Sequence, residues 1–164
     1  MTEALGPAQL REVFGAYPTG VAAVAAMVGE GPAGIAASSF VSVSLEPPLV
    51  SVCVAHTSTT WPMLRTVRRL GISVLGAGQE AACRQLSSRG GARFAALNWR
   101  ATWAGAVLIG GSSAWLECSL EQEIPAGDHD IALLRVHDLG STDVLPLVFH
   151  GSTFRQLQPH GNAA

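Results

Sequence analysis

The 164-residue chain contains no lysine, so all ten of its cationic side chains are arginines. This absence excludes Schiff-base chemistry, attachment of pyridoxal phosphate and a P-loop that depends on a phosphate-binding lysine. The formal net charge is −2 and the pI is about 6.2. A chain with this balance has no basic field to hold a phosphate backbone, so nucleic-acid binding is not expected.

Cysteine is also scarce, and the apolar runs are short. Cys53, Cys83 and Cys118 are odd in number, widely spaced and form no CxxC motif. They therefore predict reduced thiols and a cytoplasmic protein, with Cys53 and Cys118 acting as small hydrophobic residues within strands. The longest apolar run, residues 21–28, is too short to span a membrane. The five histidines show no HxH or HxxxH pairing, so no metal site is predicted.

Apolar residues make up 48% of the chain and charged residues 13%, a balance typical of a folded domain and not of a disordered chain. No linker or internal repeat divides the sequence. We therefore predict a single domain over residues 1–157, followed by a disordered tail over residues 158–164.

Turn residues divide the chain into many short strands and two or three short helices. Helices are predicted at residues 7–16, from residue 58 to about 69, and at residues 79–87. Strands are predicted at residues 21–28, 34–38, 41–45, 49–54, 72–75, 114–124, 130–139, 147–150 and 154–157, with residues 103–111 ambiguous. This pattern favours a mostly β fold, an antiparallel barrel, over a doubly wound sheet.

One segment imitates a dinucleotide-binding motif. Residues 76–81 read Gly-Ala-Gly-Gln-Glu-Ala, which matches G-x-G-x-x-A after a predicted strand. That fold needs an acidic residue roughly 20 positions further on, yet the next acid after Glu80 is Glu117. Because the βαβ alternation is also missing, we interpret the segment as a flexible strand-to-helix turn.

Ala37, Ser38, Ser39 and Phe40 form the first of three segments that suit one ligand. Their small side chains would let a flat ring approach the backbone, where free N–H groups could bond an acceptor edge. A simple polar turn is the alternative interpretation.

Ser58, Thr59 and Thr60 form the second segment, directly before a helix start marked by Pro62. Hydroxyls and free backbone N–H groups at such a position favour a phosphate. Helix capping is the alternative and explains at least one of the hydroxyls.

His129 lies in the third segment, the Gly-Asp-His-Asp turn at residues 127–130 between the two longest strands. A histidine there can titrate near neutral pH and bond a ligand, although a solvated turn residue is the alternative. Arg89 and Arg93 flank two glycines ahead of Phe94, and their planar guanidinium groups suit a phosphate. A solvated loop with two surface cations is the alternative.

The order of these motifs resembles the flavin reductase family of short-chain NAD(P)H:flavin oxidoreductases. The resemblance runs from about residue 10 to residue 157 and rests on residues 17–21 (YPTGV), 37–40 (ASSF), 42–50 (SVSLEPPLV), 58–60 (STT), 88–94 (SRGGARF), 115–118 (WLEC), 127–129 (GDH) and 146–148 (PLV). It implies the FMN-binding split-barrel fold, a split β-barrel of Greek-key-like antiparallel strands.

The resemblance also implies a function. The chain would be a homodimer that binds FMN or FAD, uses NADH or NADPH as the hydride donor, and supplies reduced flavin to a partner monooxygenase. His129 would be the catalytic residue beside the nicotinamide, and Phe154 would close the mouth of the site. The implied cofactor-binding residues are Ala37, Ser38, Ser39, Phe40, Val54, Ser58, Thr59, Thr60, Arg89, Arg93, Phe94 and Phe154.

Two other functions are compatible with the same residues. One is a flavin-binding split barrel without catalysis, such as an electron carrier. The other is a split-barrel oxidase of another small molecule. The turn that carries His129 favours the reductase.

Overall fold

A computed structural model describes residues 4–159, which form three helices and twelve strands. The helices are α1 (Pro7–Gly15), α2 (Trp61–Leu64) and α3 (Glu80–Leu86). The strands are β1 (Thr19–Gly20), β2 (Ala22–Val28), β3 (Gly31–Ala37), β4 (Val41–Leu45), β5 (Pro48–Ala55), β6 (Leu70–Val74), β7 (Trp99–Ala101), β8 (Val107–Ile109), β9 (Ala114–Ala126), β10 (His129–Ser141), β11 (Leu147–His150) and β12 (Thr153–Gln156).

Seven strands form one curved sheet in the order β3-β2-β6-β9-β10-β5-β4. Two small sheets, β1-β11-β12 and β7-β8, pack beside it. All strand pairs within residues 4–159 are antiparallel, which confirms the predicted split β-barrel and agrees with the rejection of a dinucleotide-binding fold. The longest described helix, α1, has nine residues, so no helix of this part of the chain could span a bilayer.

Strand β2 is buried on both faces because it separates two hydrophobic cores. Ala22, Val24 and Ala26 face the core inside the curved sheet. Ala23 and Ala25 face a second core, which α3 and the small sheets cover from outside. A strand covered on both sides has a continuous apolar sequence, and this explains the uninterrupted run at residues 21–28.

The second core requires a glycine in β6. A Cβ atom at Gly71 would lie 2.0 Å from the Val107 carbonyl oxygen, because β8 crosses β6 at this point. The Ile109 N–H also donates to the Ser73 hydroxyl at 2.9 Å, which fixes β8 to the same strand. The ambiguous segment thus contains β8, a short strand buried throughout.

The helix predicted from residue 58 to about 69 is much shorter than expected, since α2 ends at Leu64. Arg65, Arg68 and Arg69 would lie three and four positions apart on a continued helix, where like charges repel. The Thr66 hydroxyl donates instead to the Met63 carbonyl at 2.8 Å, a local bond that competes with helix continuation.

The two longest strands are longer than predicted. Strand β9 extends to Ala126 and β10 begins at His129, so a two-residue turn of Gly127 and Asp128 joins them. Gly127 has a φ of 68°, as the first turn residue of a type II′ hairpin requires. The predicted tail, residues 158–164, lies mostly outside the described residues.

Substitution of Gly71 by alanine should lower the free energy of unfolding by about 3 kcal/mol, because backbone of β8 cannot move away from the new methyl group without breaking the second core. Denaturant unfolding measures the change. Gly31→Ala is the matched control, since a Cβ there meets nothing within 4 Å. Equal stabilities of the two variants would contradict the packing argument.

Candidate functional site

A continuous groove runs along β3 and the connection that follows it. Three cavities compose the groove, and Ala36 lines all of them. We name them by their side chains: the hydroxyl cavity of about 620 Å³ with Thr59, the aromatic cavity of about 690 Å³ with Phe154, and the histidine cavity of about 340 Å³ with His129.

The floor of the groove is an exposed edge of backbone. Within residues 4–159, strand β3 pairs only with β2, and Ala36, Ala37 and the following Ser38 give this edge small side chains. The backbone N–H groups of Ser38 and Ser39 have no hydrogen-bond partner among residues 4–159. A flat molecule could therefore lie against the floor and accept hydrogen bonds from it.

The Ser39 hydroxyl makes this arrangement possible. It donates to the Cys53 carbonyl at 3.2 Å and accepts from the Cys53 N–H at 2.9 Å. The pair 39–53 continues the register of β4 with β5, in which Val41 opposes Ser51. The connection is thus held to β5 by a side chain, and its own backbone stays available.

The hydroxyl cavity is suited to an anion. Thr60 accepts a hydrogen bond from Arg93 Nη1 at 3.0 Å, and the same nitrogen donates to the Gly34 carbonyl at 3.1 Å. Arg89 and the Thr59 hydroxyl have no hydrogen-bond partner within the described chain. No aspartate or glutamate among the described residues lines this cavity, so its two guanidinium groups give it positive charge.

One hydroxyl of this segment bonds the start of the helix, although the N-cap residue itself, Thr60, makes no side-chain capping bond. The Ser58 hydroxyl accepts from the Trp61 N–H at 3.1 Å, which is the alternative foreseen from the sequence. Because α2 has only four residues, its dipole is small, and the preference for an anion comes from the arginines.

His129 is the first residue of β10, which pairs with β5, and it lines the histidine cavity together with the residues of the floor. Its Nδ1 donates to Asp128 Oδ1 at 2.7 Å, which leaves Nε2 as the ring atom free for a ligand. The pKa of the Asp128 carboxyl is lowered, first by this hydrogen bond and then by the charge of the ring. A carboxylate that accepts from Nδ1 holds the proton of the neutral His129 ring on that nitrogen.

The two charged side chains that line the aromatic cavity, Glu80 and Arg84, form an ion pair and contribute no net charge. Arg84 Nη2 lies 2.6 Å from Glu80 Oε1, and the Arg84 guanidinium stacks 5.1 Å from the centre of the Phe154 ring. Phe154 also packs against Phe149 with ring centres 5.3 Å apart. This end of the groove therefore has an aromatic wall, and the charge of the arginine stacked on it is balanced by Glu80.

The groove collects most of the residues singled out from the sequence. Eleven of them line one of its cavities: Ala37, Ser38, Ser39, Val54, Ser58, Thr59, Thr60, Arg89, Arg93, His129 and Phe154. The other two have packing positions. Phe94 is 9% exposed and lies beneath Gly34 in the second core, and Phe40 packs against the core inside the sheet.

Sequence reasoning missed part of the groove. The pairing of Glu80 with Arg84 was visible as an i,i+4 spacing on α3, but the contact with Phe154 joins distant elements. Cys53 was expected to act as a small hydrophobic residue within a strand; it does lie in β5, but it is exposed and lines the histidine cavity. Cys118 is buried as expected, and burial raises the pKa of its thiol to about 12.

Comparisons with known proteins agree with this architecture. The family model described as "Flavin reductase like domain" matches residues 14–158. The reductase subunit HsaB of a flavin-dependent monooxygenase from Rhodococcus jostii is 34% identical over 158 residues, which are 96% of this chain and 81% of the relative. An NADH-dependent FAD reductase of Streptomyces globisporus is 38% identical over 157 residues, with coverage of 92% and 86%.

A solved structure is similar over nearly the whole length. The NADH:FAD oxidoreductase SgcE6 of Streptomyces globisporus C-1027, in complex with NAD and FAD fragments, has a TM-score of 0.90 and 37% identity. The match covers 98% of this chain and 100% of that chain. The fold and the groove define a split-barrel flavin reductase, and the chain belongs to the flavin reductase-like family.

Proposed function

We propose that this chain is an NAD(P)H:flavin oxidoreductase that reduces FMN or FAD within the groove and supplies the reduced flavin to a separate monooxygenase. The observation that carries the proposal is the position of the groove floor, where the backbone N–H groups of Ser38 and Ser39 are unpaired among the described residues. It lies between a cationic, hydroxyl-lined cavity and an aromatic cavity, with His129 beside it.

The groove fits the parts of a flavin nucleotide. The small side chains at residues 36–38 leave room for a planar ring, and the free N–H groups of Ser38 and Ser39 match its acceptor edge. Arg89, with the hydroxyl of Thr59, would hold the phosphate.

When bound, a flavin would supply the redox chemistry as the acceptor of a hydride from the reduced nicotinamide. The protein binds and aligns the two molecules, an effect that can contribute roughly 7–11 kcal/mol to lowering a barrier at best. His129 would bind the nicotinamide nucleotide through Nε2, since Asp128 already occupies Nδ1. The described groove therefore needs no further acid or base for this reaction.

The shape of the groove suits release of the product. All three cavities are open to solvent, and no described segment covers the floor. A flavin bound in this way can leave after reduction and reach an oxygenase by diffusion. The Rhodococcus jostii relative is the reductase subunit of a flavin-dependent monooxygenase. A cytoplasmic location, predicted from the three unpaired cysteines, is part of the proposal.

The direct test is oxidation of NADH and of NADPH by the purified protein with FMN, with FAD and without flavin. We expect oxidation that depends on added flavin, with its rate set by flavin concentration. Binding of flavin without oxidation of either nucleotide would contradict the proposal and favour an electron carrier.

The variant His129→Ala should raise the KM for the nicotinamide nucleotide about three- to tenfold, the effect of one lost hydrogen bond. Flavin affinity should change less than about twofold, because the phosphate site is separate. His137→Ala is the matched control, as His137 lies on the same strand, bonds Ser119 and does not line the groove. An unchanged KM in His129→Ala would contradict its role.

We further propose that the protein is a homodimer. Edge strand β4 exposes Val41, Val43 and Leu45, the last by 93% of its surface. An apolar edge strand left open in this way promotes association, and a second copy would cover it.

The mass in solution should therefore be twice the 17.0 kDa of one chain when measured by sedimentation or light scattering. Leu45→Glu should shift this mass toward the monomer, because it would bury a charge in the interface. Trp103→Glu is the control, since Trp103 is equally exposed but lies in the connection between β7 and β8. A monomeric unmodified protein would contradict the dimer.

A further inference from the structure

Two histidine–aspartate pairs lie side by side where β5 ends and β10 begins. One is the His129–Asp128 contact described above. In the other, His56 Nε2 lies 3.0 Å from Asp130 Oδ1, and we call this contact the strap. His56 does not line the groove, and nothing in the proposed reaction requires its side chain.

The strap lies where the chain leaves β5 and enters residues 58–60, which we call the hydroxyl segment. The last residue of β5, Ala55, opposes His129 in the register of β5 with β10. The His56 N–H then donates to the Asp128 carbonyl at 2.9 Å, and the Ser58 N–H turns back to the Ala55 carbonyl at 2.9 Å. The segment that carries Thr59 and Thr60 therefore begins directly at His56.

Other side-chain bonds of this segment do not reach β10. The Ser58 hydroxyl bonds the Trp61 N–H within the segment, and Thr60 bonds Arg93 in the loop after α3. Among the described residues, the strap is the one side-chain hydrogen bond between residues 55–60 and the strand that carries His129. It therefore adds a side-chain link to the backbone pairing that joins the two halves of the proposed site.

We propose that His56 is a positioning residue, which through Asp130 holds the phosphate-binding hydroxyl segment in a fixed position relative to His129. This inference rests on the proposed function, because its consequence is the alignment of flavin and nicotinamide. Two ligands held by separate elements react only when the distance between those elements is maintained. Small displacements lower both the binding affinity and the reaction rate.

The chemistry of the strap is a simple hydrogen bond. An ionised carboxylate only accepts, so the proton of His56 lies on Nε2. Asp130 is only 24% exposed, so the bond is partly sheltered from water. Glutamine places its amide nitrogen the same number of bonds from Cα as histidine places Nε2, and it can therefore replace the donor without a ring.

The test compares His56→Leu, which removes the donor, with His56→Gln, which keeps it. Flavin dissociation constants come from fluorescence titration, and hydrogen–deuterium exchange reports on the amides of residues 57–61. In His56→Leu we expect flavin affinity to fall about three- to tenfold and these amides to exchange faster. In His56→Gln both quantities should return to within about twofold of the unmodified protein.

A double-mutant cycle identifies the partner. Asp130→Ala should reproduce the effects of His56→Leu, and the double variant should be no weaker than the worse single variant, because both remove the same bond. Glu121→Gln is the matched control: it removes the exposed ion pair with Arg135, which joins β9 to β10 as the strap joins the end of β5 to β10, but lies outside the groove. It should leave flavin affinity and exchange unchanged.

The outcomes separate this inference from the proposed function. Failure of the unmodified protein to bind or reduce flavin would refute the proposed function, and the exchange data would still show whether the strap holds the segment. Equal flavin affinity in His56→Leu and the unmodified protein would overturn the positioning role, whatever the exchange rates. Equal loss in His56→Leu and His56→Gln would overturn it as well.

Discussion

The groove depends on one side chain that takes the place of a strand. Ser39 occupies the position opposite Cys53 that a longer β4 would fill, but it bonds both backbone groups of Cys53 through its hydroxyl. The connection between β3 and β4 is thereby attached to β5 without using its own backbone. An ordinary strand pair at this position would attach it equally well but would use the Ser39 N–H, one of the two donors on which the proposed flavin site depends.

Much of the fold could be predicted because it rests on local periodicity. The short runs between turn residues correspond to most of the strands, and the apolar run at residues 21–28 correctly indicated a strand, which the structure shows to be buried on both faces. Errors arose where tertiary contacts override local signals. Pro62 marked a true helix start, yet the arginines that follow prevent continuation, and β8 is too short to show any period.

The site was predictable to a different extent. The resemblance to flavin reductases named residues that the structure gathers from β3, from the segment after β5 and from β10, although no local pattern places them together. Phe94 packs beneath Gly34 in the second core, a position that the motif alone does not reveal. Contacts between distant elements, such as Arg84 with Phe154 or His56 with Asp130, leave no trace in sequence spacing.

The absence of lysine has a structural counterpart around the groove. A guanidinium can bond a carbonyl, a hydroxyl and a carboxylate in one plane and can stack on an aromatic ring, whereas an ammonium cannot. Arg93 joins Gly34 to Thr60 through a single nitrogen, and Arg84 uses its planar group both to bond Glu80 and to stack on Phe154. Both arginines thus build the walls of the groove, while Arg89 keeps its donors for a ligand. As a result, the groove is positively charged where a phosphate would bind and neutral where an aromatic nucleotide would stack.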